Sequence, residues 1–189
     1  MEFDSEHSGI GATEKGLRED HFGEDLWARL DPGARTFIAT AEKLYRDHRN
    51  DASFDFSPVV LGFAKAFEVQ ANILLRAALM RAKPHERMAN VDGTSVDVAT
   101  RGPWSLGQLA LLIGGNQHIN DATRRQLDTT GGAWFVSSLP AILDELAEVR
   151  NSAAHSAALD RDSVRRLRSR YIGVGCEGEL VRLARVGLR

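Results

Sequence analysis

Apolar residues recur along this chain at three- and four-residue spacing, in blocks separated by glycine, proline and polar runs. That is the pattern of amphipathic helices rather than strands. The first clear block covers about residues 32–49, where Phe37, Ile38, Ala41, Leu44 and Tyr45 follow helical spacing. Asp31 is placed to cap it, with Pro32 in the first helical position. The second block runs from Ser57 to about Arg81, with Ser57 as cap, Pro58 behind it, and Phe56 with Leu61 as a hydrophobic staple. Its broad apolar face holds Val60, Phe63, Ala64, Phe67, Ala71, Leu74, Leu75 and Ala78, and Lys65, Glu68 and Arg76 interrupt the flank.

Residues 84–103 form a polar connection, either a short hairpin or a disordered loop, and no convincing strand alternation occurs. A short helix follows to about Ile113, opened by a Ser105–Gln108 capping box with a Trp104–Leu109 staple and stopped by Gly114 and Gly115. Another short helical piece is expected at 120–128. A longer helix is expected from Ser138 to about Ala157, then a basic one over 161–171 and a short amphipathic helix in the tail. The expected fold class is all-α: a bundle of four to five helices with short helical and loop additions. Residues 1–30 read as a loose acidic segment and 31–189 as the helical domain.

Composition adds three points. At 189 residues the chain is long enough for one domain with a sizeable core. Its net charge of −2 hides an asymmetry: residues 1–25 hold eight acids, and residues 161–189 hold eight arginines. A basic C-terminal segment is suited to phosphate contacts, although a solvated arginine-rich helix has the same composition. Cys176 is the only cysteine, which excludes an internal disulfide and fits a cytoplasmic, reducing compartment. No apolar run of about 18 residues is present, so no membrane association is expected.

Chemistry concentrates in RNSAAH, residues 150–155, at the end of the 138–157 helix. On a wheel of about 100° per residue, Ile142, Leu146, Val149 and Ala153 form the core-facing stripe. Asp144, Glu148, Asn151 and His155 lie on a stripe opposite. Arg150 sits beside the apolar stripe, and only Ala147 and Ala154 separate it from His155. Small residues there allow another backbone to approach, so Arg150 and His155 would line the resulting cleft. Histidine can move a proton near neutral pH, and a guanidinium can hold phosphoryl oxygens with paired hydrogen bonds. Other motifs point nowhere. His7, His21, His48, His85 and His118 lack metal-ligand spacing, and the glycine pairs at 9–11, 114–115 and 173–175 lack the strand–loop–helix setting of a phosphate loop.

RNSAAH, the preceding LPAILDELAEV, the DFSPVVLGFAKAFEVQ helix from Asp55 and WSLGQLALL from Trp104 together resemble the HEPN superfamily, over roughly residues 54–175. The resemblance implies a homodimer in which the motif arginine and histidine of both copies meet in one cleft. It implies a metal-independent endoribonuclease needing no cofactor, acting in antiviral defence or a toxin–antitoxin system, with an antitoxin or effector protein as a further partner. Carried over by position, the catalytic residues are Arg150, His155 and Asn151, with Glu148, Glu68 and Lys65 around them. Other members of the superfamily are inactive binding or dimerisation modules, so a non-catalytic module for a partner protein or nucleotide is the alternative.

Overall fold

The computed structural model describes residues 9–155, 158–173 and 177–189, His155 by its backbone alone. Among these residues the chain forms eleven α-helices and one two-stranded sheet, an all-α class. It divides into two compact units: residues 1–66 with 150–181, and residues 67–149 with 182–189.

The first unit opens with α1 (Ile10–Leu17), a π-helical turn (Arg18–Phe22) and α2 (Glu24–Arg29). The loose N-terminus read from the sequence is therefore corrected for residues 9–30. Leu17, Phe22, Trp27 and Leu30 are all buried, Phe22 meets Trp27 edge-on at 5.2 Å, and the Trp27 indole N–H donates to Glu14 at 3.2 Å. Next comes α3 (Pro32–His48), where the Asp31 carboxylate accepts the Gly33 amide at 2.7 Å, as its cap position predicts. The buried face of α3 is Ala34, Ile38, Ala39, Ala41, Glu42 and Tyr45, while Phe37 is exposed. Helix α4 (Ser57–Met80) begins one residue earlier than the expected cap allows. Ser57 is already helical, and Asp55 caps instead: its Oδ1 accepts the Ser57 amide (2.9 Å), the Ser57 hydroxyl (2.7 Å) and the Leu159 amide (3.1 Å). The most apolar 18-residue window of α4 has a mean hydropathy of 1.3 and is 56% buried, the profile of a core helix.

Two positions in this unit give testable stability effects. The bonds from the Ser57 hydroxyl and amide hold the Asp55 carboxyl below its usual range against the opposing effect of burial, and the Leu159 amide adds to them. A depressed carboxyl stabilises the fold above its unfolded pKa of about 3.9 and loses that contribution as pH falls through the folded value. Asp55→Asn is expected to cost less than about 1 kcal/mol at neutral pH, because the group is exposed. Urea melts should show that difference vanishing in acid well below the unfolded value. Gly62 of α4 crosses α3 so closely that a Cβ would stand 2.8 Å from the Ala41 Cβ and 3.2 Å from the Phe37 carbonyl oxygen. Alanine in a helix is worth up to about 1 kcal/mol over glycine, but overpacking costs about 1–3 kcal/mol. Gly62→Ala should therefore lower the denaturation midpoint, although propensity alone predicts a rise.

In the second unit, a 3₁₀ turn (Pro84–Arg87) leads into a hairpin of β1 (Met88–Val91) and β2 (Thr94–Asp97), paired antiparallel from Met88↔Asp97 to Val91↔Thr94. Of the two readings left open for this connection, the hairpin is the one found. Asp92 and Gly93 both take positive φ, 53° and 80°, as a two-residue turn of this kind requires. After α5 (Val98–Arg101), Asn72 of α4 clamps Trp104, its amide donating to the Trp104 carbonyl and its oxygen accepting the Trp104 amide, both at 2.8 Å. The Ser105 amide and hydroxyl both donate to Gln108 Oε1 at 3.1 Å, opening α6 (Leu106–Gly115). The two glycines are the last two residues of this helix rather than lying beyond it. Gly114 is small because a Cβ would stand 2.9 Å from the Pro140 ring. Helices α7 (Gln117–Gln126), capped by Asn116, and α8 (Thr129–Ser137), capped by Asp128, complete the layer. The Asp128 carboxylate also accepts the Gly187 amide at 2.7 Å and so ties down the tail.

Candidate functional site

Helix α9 (Leu139–His155) carries the motif. Leu139, Ile142, Leu143, Leu146 and Ala147 are buried, while Val149 and Ala153 are half-buried, so the core stripe holds for three turns and weakens toward the motif. Asp144, Glu148 and Asn151 are exposed, as the wheel places them. Ala147 is already covered, so the small-residue surface between Arg150 and His155 reduces to the exposed Ala154.

Arg150 and Asn151 are joined directly. The Arg150 Nε and Nη2 both donate to Asn151 Oδ1, at 3.2 and 2.8 Å, on the half-buried to exposed side of the helix. The amide oxygen is thus engaged, and its NH₂ is what Asn151 can offer to an incoming oxygen. The backbone of His155 ends α9; its side chain lies outside the described residues. Glu148 is exposed on α9, Lys65 is exposed on α4, and Glu68 is half-buried on α4. Cys176 and His7 also fall outside the described residues. No group of three or more His, Cys, Asp or Glu side chains placed to hold a metal ion occurs among the described residues.

A second cluster stands in the same unit as Arg150. The basic stretch forms α10 (Arg161–Arg168), capped by Asp160, and a π-helical turn (Ser169–Gly173). Arg165, Arg168 and Ser169 from this stretch, with Tyr45 and Arg46 from α3 and Arg49 at its C-terminal cap, line a recess of about 520 Å³. Beneath it lies Glu42, with 0% exposure. Its carboxylate accepts Arg168 Nε at 2.6 Å and Nη2 at 2.7 Å, a side-on fork, and also accepts Arg46 Nε. The Arg168 guanidinium lies 5.1 Å from the Tyr45 ring centroid. Burial works against its charge, but the hydrogen bonds and charge of Glu42 prevail and hold its pKa above the ordinary arginine value. Two more carboxylates stand by: Asp162, 3.6 Å from Arg165, and Asp20, which flanks Gly16 together with Arg46.

The eight C-terminal arginines pointed toward phosphate contacts, but the α3 half of this recess was not singled out from the sequence. The available signal was Glu42 itself, an acid set among Ile38, Ala41 and Tyr45 on an otherwise apolar stripe, with Arg46 one turn later. No family model matches the chain, and no curated protein or solved structure matches it either.

Proposed function

We propose that this chain is a metal-independent endoribonuclease of the HEPN type, acting through Arg150, Asn151 and His155. The reading is carried by the Arg150–Asn151 pair, set on the accessible side of α9 five and four residues before His155. The all-α class and a recess of arginines in the same unit are consistent with it.

RNA brings its own nucleophile. The imidazole of His155 takes the proton of a 2′-OH, and the 2′-oxygen attacks the adjacent phosphorus. The P–O5′ bond breaks, and a proton returns to O5′ from the imidazolium or from its counterpart in a second copy of the chain. The products are a 2′,3′-cyclic phosphate and a 5′-OH end. Arg150 holds the phosphoryl oxygens as their negative charge grows, and its fork suits two of them. Asn151 keeps that fork oriented and presents its NH₂ to the same phosphate. A homodimer would pool two such sets. The test is incubation of purified protein with single-stranded RNA in EDTA, wild type beside His155→Ala, with product ends read by their sensitivity to phosphatase before and after acid opening. Equal cutting by both proteins, or a dependence on added divalent metal, would remove the assignment.

A further inference from the structure

We propose that the recess between α3 and α10 is a phosphate-ester binding site, distinct from the motif on α9. Four guanidiniums, from Arg46, Arg49, Arg165 and Arg168, surround one small volume. Like charges are expensive to gather unless something holds them, and here the buried Glu42 holds two of the four. The holding is directional. Arg168 spends its Nε and one N–H of Nη2 on Glu42, so its Nη1 remains to donate elsewhere. Arg46 spends its Nε on Glu42, and its Nη1 and Nη2, which lie against Gly16 beside Asp20, carry no further hydrogen bond among the described residues. Those donors are fixed before any ligand arrives, which reduces the ordering cost of binding. Arg49 and Arg165 are exposed and can close over a ligand without leaving a buried partner stranded.

A network serving only to tie α10 to α3 would need Glu42, Arg46 and Arg168. It would not need Arg49 and Arg165 at the same opening. A tetrahedral phosphate offers several oxygens to several forks, whereas a carboxylate is saturated by one or two. The volume, about 520 Å³, exceeds what a bare phosphate needs and leaves room for the esterified group. The shared chemistry is a phosphate ester, supplied either by a free nucleotide or by the backbone of a nucleic-acid strand.

The experiment uses the full chain and does not depend on cleavage. Binding of inorganic phosphate, of nucleoside 5′-monophosphates and of a fluorescent single-stranded oligonucleotide with 2′-deoxy sugars is measured for the wild type and for Arg49→Ala/Arg165→Ala. These two exposed positions lie outside the proposed cleavage motif, and thermal melts establish that the variant remains folded. The variant should bind at least about tenfold more weakly, with a shallower salt dependence and an unchanged melt. A loss confined to the monophosphates identifies a free-nucleotide site, and a loss confined to the oligonucleotide identifies a strand-binding site; either supports the proposal. If the wild type binds none of the three probes, or the variant binds them equally well, the proposal is overturned, whatever becomes of the ribonuclease reading.

Discussion

His155→Ala is expected to slow RNA cleavage by about 10²–10⁴-fold, the range that removal of a general acid–base group spans. A thermal melt run beside the assay separates a lost catalytic group from a lost fold. Arg150→Ala should cost a similar factor for a different reason, since in the proposed mechanism it removes the cation that would hold the phosphoryl oxygens as their charge grows. Arg150→Lys separates the two parts of that contribution. It keeps the charge but loses the fork and the twofold hold on Asn151 Oδ1, and should recover only a fraction of the rate. Replacing the ribose at the cleaved position by deoxyribose should stop the reaction in every variant. A wild type that forms dimers and binds RNA without cutting it would instead favour the non-catalytic module. In that case Arg150→Ala would weaken binding while His155→Ala would not.

What could be read from the sequence follows physical lines. Local signals were reliable: Asp31 with Pro32 opens α3, and the Ser105–Gln108 capping box opens α6. Asp144, Glu148 and Asn151 of the polar stripe of α9 are exposed where the wheel puts them. The N-terminal helices were hidden because the π-helical turn at Arg18–Phe22 shifts the register. Leu17, Phe22, Trp27 and Leu30 therefore do not share one 3.6-residue period, although all four are buried. Gly114 reads as a helix stop and is a close approach, and Gly131 is another. A Cβ at Gly131 would stand 2.6 Å from Asp128 Oδ2 and 3.1 Å from the Val186 Cα. Pro140 and Val186 lie far along the chain from these glycines, and no local rule anticipates them. The same holds for half of the arginine recess. Arg168 is 126 residues from Glu42, and only the folded chain brings them together.

Glu42→Ala is expected to be the most destabilising single substitution in this cluster. The carboxylate is fully buried and accepts three hydrogen bonds from two arginines. Its removal leaves Arg168, whose side chain is 14% exposed, without a counter-charge, while Arg46 at 38% can turn to water. Breaking a buried pair from one side costs about 3–5 kcal/mol. The partial exposure of both arginines places this case at the low end, about 3 kcal/mol, or roughly 6–12 °C of melting temperature for a chain of this length. Glu42→Gln should recover little, because its NH₂ would face a guanidinium with no acceptor to offer. The decisive comparison is Glu42→Met/Arg168→Leu, which removes both partners and fills the space with apolar side chains. If the loss in Glu42→Ala comes from a stranded charge, the double variant should be more stable than Glu42→Ala although it carries one more substitution. It should also lose affinity for phosphate esters, since the preorganised donors of Arg168 are gone. A double variant no more stable than Glu42→Ala would mean that Glu42 contributes through packing alone, and the recess would then owe its shape, but not its charge, to that residue.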